Sequence, residues 1–210
     1  MDLPDTLPGR LYLLAYPPDS DRLRYRSDLD LLLRAAALTD LLQRGLLADR
    51  DGRPEPDGPA PSRLDPVLVT VLDEVAESRP RRWEHWVRVK GRAIKPAVRD
   101  RLGEQGYLDL VEHRVLGLFP TLRPVPREPD VRRRLAAEFE AAFTRPAAEV
   151  EPCQAAAVAL AAAGEMRTVL SRQRQRAERD RIAELTARTG PVPRALRSAI
   201  QGRRAAHSAG

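Results

Sequence analysis

The chain has 210 residues, 42% hydrophobic and 31% charged, with a formal net charge of +6. That balance suits a soluble globular protein with a real core and excludes a disordered chain. Cys153 is the only cysteine, which excludes an intramolecular disulfide and a thiolate metal site and reads as a small core residue. No apolar run reaches the length of a membrane span, and the N-terminus lacks the charged-then-apolar order of a signal peptide. A cytoplasmic protein is expected, with any membrane contact peripheral.

Leu7 to Ala15 reads as a short helix, with Pro8 in its first turn and Pro17 and Pro18 ending it. A turn with a short strand is expected over Asp19 to Tyr25. Ser27 then serves as N-cap for a Leu/Ala-rich helix running to Arg44 and stopping at Gly45. Leu46 to Ala48 predicts a short strand, followed by a surface loop from Asp49 to Pro61. Val67, Leu68, Val71, Leu72 and Val75 mark one face of a helix over Asp65 to Glu77. Arg82 to Val89 carries Trp83 and Trp86, and a further helix runs from Ala93 to Glu104, ending at Gly106. Tyr107 to Val111 and Val115 to Phe119 predict a hairpin turning near Glu112 to Arg114, its second strand stopped by Pro120, Pro124 and Pro126. Helices follow over Asp130 to Phe143, Pro152 to Leu170, Arg174 to Thr189 and Val192 to Arg203. The fold class is mainly α: a helical bundle with short β-hairpins, one domain over 7–204 between tails 1–6 and 205–210.

Little in the sequence supports catalysis. His85, His113 and His207 lack metal-ligand spacing, and there is no Gly-rich phosphate loop or nucleophile elbow. No catalytic residue, metal or cofactor is expected, and the protein is read as a non-enzyme. Charge is more informative. Arg79 to Arg101 holds nine basic residues against Glu84 and Asp100, and Ser171 to Arg204 holds ten arginines against Glu178, Asp180 and Glu184. Either stretch suits an anionic surface, lipid or nucleic acid, and either could be a solvated helix face. The helix and hairpin over Ala93 to Phe119 also have the outline of a winged helix, which makes a DNA-binding regulator the second reading. Few Asn or Gln residues are there to read bases.

Arg34 stands alone among leucines, and charge on an apolar helix is costly unless it is paired or exposed at a binding surface. One reading pairs it with Asp30, one turn back. The other places it in an anion pocket, since arginine forks suit phosphate.

The segments RLYLLAY, then Tyr25 and LLLRAAALTDLLQRGLL, then LVTVLDEVAESRPRRWEHWV, then AIKPAVRDRLGEQGYL and HRVLGLF occur in a characteristic order. In that order the chain resembles the Golgi phosphoprotein 3 / vacuolar protein sorting protein 74 family over about Leu7 to Ala199. The short N-terminus and arginine-rich, lysine-poor composition suggest a bacterial-type member. The resemblance implies a mostly helical single domain that binds a phosphatidylinositol 4-phosphate-like headgroup peripherally at a membrane. It places the headgroup-binding residues on Tyr25, Arg34, Arg92 and Lys95, with Tyr25 where eukaryotic members carry tryptophan. It also implies that the 107–119 hairpin, through Leu116, Leu118 and Phe119, approaches the membrane or supports a homo-oligomer. The implied partner is an anionic phospholipid headgroup or membrane surface. A scaffold of the same fold without lipid binding is the remaining alternative.

Overall fold

The computed structural model describes residues 2–208 except 18, 19, 21, 26 and 116–118; over 112–115 and 119–122 only the backbone is described. The chain is organised around a helix that is apolar on nearly every side. α2 (Leu29–Gln43) has its residues from Leu31 to Leu41 buried throughout, because leucine and alanine occupy all faces rather than one stripe. Packed on it are α1 (Leu7–Leu14), α3 (Pro66–Ala76), α4 (Trp83–Arg88), α5 (Gly91–Glu104), α7 (Pro152–Ala163) and α10 (Val192–Ser208). α6 (Pro129–Thr144) and α9 (Arg179–Thr189) cover α7, whose run of small alanines lets α9 approach closely. α8 (Arg172–Ala177) precedes α9.

Local chemistry sets the helix starts. The Asp65 side chain accepts from the Val67 amide at 2.9 Å, with Pro66 beginning α3. Thr6 caps α1 through Gly9, and Ser171 caps α8 through Arg174. Buried Asp40 of α2 accepts from the Leu7 amide at 2.7 Å and from Arg44 Nε at 2.5 Å, pinning α1 to the central helix. Burial pushes the Asp40 carboxyl up, against the opposing pull of Arg44 and the Leu7 amide.

The mainly helical class with two small antiparallel hairpins holds, and several boundaries differ from the expected ones. Asp28, not Ser27, is the residue before α2, and it makes no side-chain cap bond. Among the described residues no strand lies between 20 and 25. The expected loop after Asp49 contains a hairpin instead: β1 (Leu47–Arg50) pairs with β2 (Arg53–Pro56), turning through Asp51 and Gly52, both at positive φ. α7 ends at Ala163, and the expected helix over 174–189 is broken at Glu178. Cys153 is half-buried rather than a core residue.

The second hairpin is longer and turns later. β3 (Leu108–Val115) pairs with β4 (Phe119–Pro126), so 112–114 belong to a strand. Pro120, Pro124 and Pro126 do not stop β4. The Arg127 amide donates to the Tyr107 carbonyl, which sets the alternation of bonded pairs and places all three prolines at positions whose backbone faces away from β3. An edge strand tolerates the missing donors there. Of the proposed hairpin contacts, Leu116 and Leu118 and the Phe119 side chain lie outside the described residues.

Candidate functional site

Tyr25 is the one residue of the expected set that lines an open cleft. The cleft has a volume of about 700 Å³ and is walled by Arg24, Tyr25, Ser27 and Asp28 before α2, by Gly164, Glu165, Arg167 and Arg172 after α7, and by Arg203, Arg204, His207 and Ser208 of α10. A smaller lobe of about 380 Å³ shares Arg24, Tyr25 and Arg167. The Tyr25 hydroxyl donates to the Gly164 carbonyl at 2.6 Å, so the ring is fixed against the end of α7. Gly164 permits this approach: a Cβ there would lie 3.0 Å from the Tyr25 hydroxyl and 3.2 Å from Leu32 Cδ1. Burial, seconded by Asp28, pushes the phenol well above its ordinary range, so it stays a neutral donor.

Five arginines meet three carboxylates around this cleft. Arg203 forks onto Asp30, Nη1 to Oδ1 at 2.8 Å and Nη2 to Oδ2 at 2.6 Å, and Nη1 also donates to the Ser27 carbonyl at 3.1 Å. Arg204 is held more loosely, 3.2 and 3.4 Å from the two oxygens of Glu165 and 3.7 Å from Asp28. Arg167 reaches Glu165 at 3.4 Å and donates to Gln175 Oε1 at 2.7 Å. Arg24 and Arg172 are exposed, and among the described residues neither has an ion pair. The result is an excess of guanidinium donors converging on one opening, which is what an oxyanion ligand requires.

Arg34 is not paired with Asp30 as one reading expected, and its side chain does not line this cleft. It is 2% exposed; its Nε donates to the Trp86 carbonyl at 2.9 Å and its Nη2 lies 2.5 Å from Glu74 Oε2. Asp30, one turn back, is instead the partner of Arg203. Glu74 also takes Lys90 Nζ at 3.3 Å, so Arg34 adjoins the segment that opens α5 while its guanidinium faces inward. In that first part of α5, Arg92 is exposed and Lys95 half-buried, and among the described residues neither has an ion pair. Neither they nor Arg34 lines the cleft.

Two cations at the start of a helix run against its dipole, which favours an anion there. Asp30 supplies one: its Oδ2 would lie 3.1 Å from a Cβ on Gly91, so the carboxylate sits between the start of α5 and Arg203. Burial alone would raise this carboxyl, but the hydrogen bonds and charge of Arg203 hold it below the usual range. Asp30 and Arg203 thus form the seam joining the cleft to the Arg92–Lys95 face.

The chain matches the sequence model of the Golgi phosphoprotein 3 family over residues 7–202, from the first turn of α1 into α10. It belongs to the Golgi phosphoprotein 3 family. No individual curated protein matches it. This Golgi phosphoprotein 3 family member has, among the described residues, no helix long and apolar enough to cross a membrane and no cluster of His, Cys, Asp or Glu able to hold a metal ion.

Sequence reasoning missed Arg24, Arg167, Arg172, Arg203 and Arg204 as members of one site. A signal existed in the surplus of arginine over Ser171 to Arg204, but the surplus does not distinguish Arg203 and Arg204 from the other arginines of that stretch. Nothing in the sequence joins them to Tyr25, some 180 residues away.

Proposed function

We propose that this protein binds an anionic, phosphatidylinositol 4-phosphate-like headgroup at a membrane surface, without being an enzyme. The ligand's phosphate enters the Tyr25 cleft, and Arg92 and Lys95 face the same leaflet beside it. The observation that carries this reading is the cleft itself: Tyr25 fixed on its wall, with Arg24 and Arg172 unpaired among the described residues and Arg167 and Arg204 only loosely paired. Family membership is consistent with it.

The magnitudes fit reversible recruitment. A basic residue near an anionic leaflet contributes about 1 kcal/mol, so a few of them give weak binding unless headgroup hydrogen bonds add to it. The test is co-sedimentation with phosphatidylcholine vesicles, alone or carrying phosphatidylinositol, phosphatidylserine or phosphatidylinositol 4-phosphate. The wild type should prefer the phosphorylated headgroup. An Arg24→Ala/Arg172→Ala double variant should lose about 2 kcal/mol, roughly thirtyfold in affinity. Equal binding of both proteins to every anionic vesicle would leave only diffuse charge and defeat the cleft. A salt-dependent shift of duplex DNA that vesicles do not compete away would favour the DNA-binding reading instead.

A further inference from the structure

Glu165 has a backbone that its residue type does not favour. It follows Gly164 at the end of α7 with φ of 53°, in the left-handed region where a Cβ is crowded and glycine is the usual occupant. A strained non-glycine residue in a ligand-sized opening directs attention to its side chain. That side chain is 39% exposed and bridges two arginines on the cleft wall, with contacts of 3.2 and 3.4 Å to Arg204 and 3.4 Å to Arg167. All are longer than the 2.6 and 2.8 Å of the Asp30–Arg203 fork beside it. The carboxylate beside the cleft therefore clamps its arginine, and Glu165 within it only rests between two.

We propose that Glu165 is an exchangeable internal anion: it holds Arg167 and Arg204 in register, and a phosphate monoester takes its place between them. The proposal rests on the headgroup reading of the same cleft. A phosphate monoester carries nearly two negative charges at neutral pH and three acceptor oxygens, so it engages both forks where a carboxylate offers two oxygens and one charge. Exchange requires only that the glutamate side chain turn into water, since Arg167 keeps its bond to Gln175 and Arg204 keeps its 3.7 Å contact with Asp28. Hydrogen bonds from Arg204 hold the Glu165 carboxyl below its usual range, so the competitor remains charged at neutral pH.

An internal competitor lowers the apparent affinity of every ligand that must displace it by one common factor, because the cost belongs to the protein. Glu165→Gln should therefore tighten soluble inositol 1,4-bisphosphate, measured by calorimetry, and phosphatidylinositol 4-phosphate vesicles, measured by co-sedimentation, by the same factor of about ten. Glu165→Gly should do the same without losing thermal stability, since glycine relieves the backbone. Asp180→Asn, which removes an equal charge from an exposed site on α9, should leave both affinities unchanged. Unchanged or weakened binding in both Glu165 variants would overturn the exchange, as would an equal gain in Asp180→Asn. Tightened binding of the soluble probe with none to vesicles would keep the exchange and defeat the membrane reading. Absence of binding to either probe by wild type and variants alike would defeat both.

Discussion

Arg34 Nη2 and Glu74 Oε2 stand 2.5 Å apart beneath the surface, tying α2 to α3. The same guanidinium holds the Trp86 carbonyl in α4, and the same carboxylate holds Lys90 before α5. Removing one partner of a buried ion pair strands the other and costs about 3–5 kcal/mol, whereas replacing both with apolar groups of similar volume costs far less. Arg34→Ala should show the larger loss in urea unfolding, and Arg34→Met/Glu74→Leu should recover most of it. At a temperature where Arg34→Met remains folded, vesicle binding should change by no more than about threefold, since an inward-facing group withholds its donors from a ligand. A loss of more than about tenfold with the fold intact would mean that the guanidinium reaches the ligand after all.

The Asp30–Arg203 fork makes an acid-stability prediction. The Asp30 carboxyl is held below its unfolded value of about 3.9, so its contribution is fully present above that pH and is lost as pH falls through the folded value. Asp30→Asn should lower the Tm at neutral pH. The gap between variant and wild type should close below about pH 4. A gap that stayed constant from neutral pH to pH 2.5 would show that the carboxylate's charge is not what stabilises the seam.

Tyr25 and Gly164 can be separated by substitution. Tyr25→Phe removes the 2.6 Å bond to the Gly164 carbonyl but keeps the ring, costing about 1 kcal/mol of stability and little binding. Gly164→Ala keeps the hydroxyl but drives a methyl against it and against Leu32, displacing the ring from the cleft wall. Vesicle affinity should fall more for Gly164→Ala than for Tyr25→Phe. The reverse order would place the hydroxyl, not the ring position, in contact with the ligand.

Much of the architecture was legible because it follows from periodicity. The all-round leucine and alanine of α2, the single apolar face of α3 and the glycine stop at Gly45, which has φ of 69°, are written in residue type. The β4 prolines misled because proline stops a strand only where a ladder bond is needed, and register decides that. Arg34 misled for a similar reason: Asp30 is its neighbour in sequence, whereas Glu74 becomes its neighbour only when α2 packs on α3. Of the residues that line the cleft, Tyr25 is the one that the family pattern also names. The left-handed backbone at Glu165 leaves no trace in a residue type that rarely adopts it.

Residues far apart in the chain close this cleft: Arg203 donates to the carbonyl of Ser27 and to Asp30. Fraying of the last turns of α10 would take Arg203 and Arg204 out of the wall. Occupancy and local unfolding are therefore linked. A ligand present at a hundred times its Kd adds about 2.7 kcal/mol against any opening that destroys its site. Amide hydrogen exchange in the last turns of α10 should then slow on ligand addition, turning the helix end into a reporter of whether the cleft is filled.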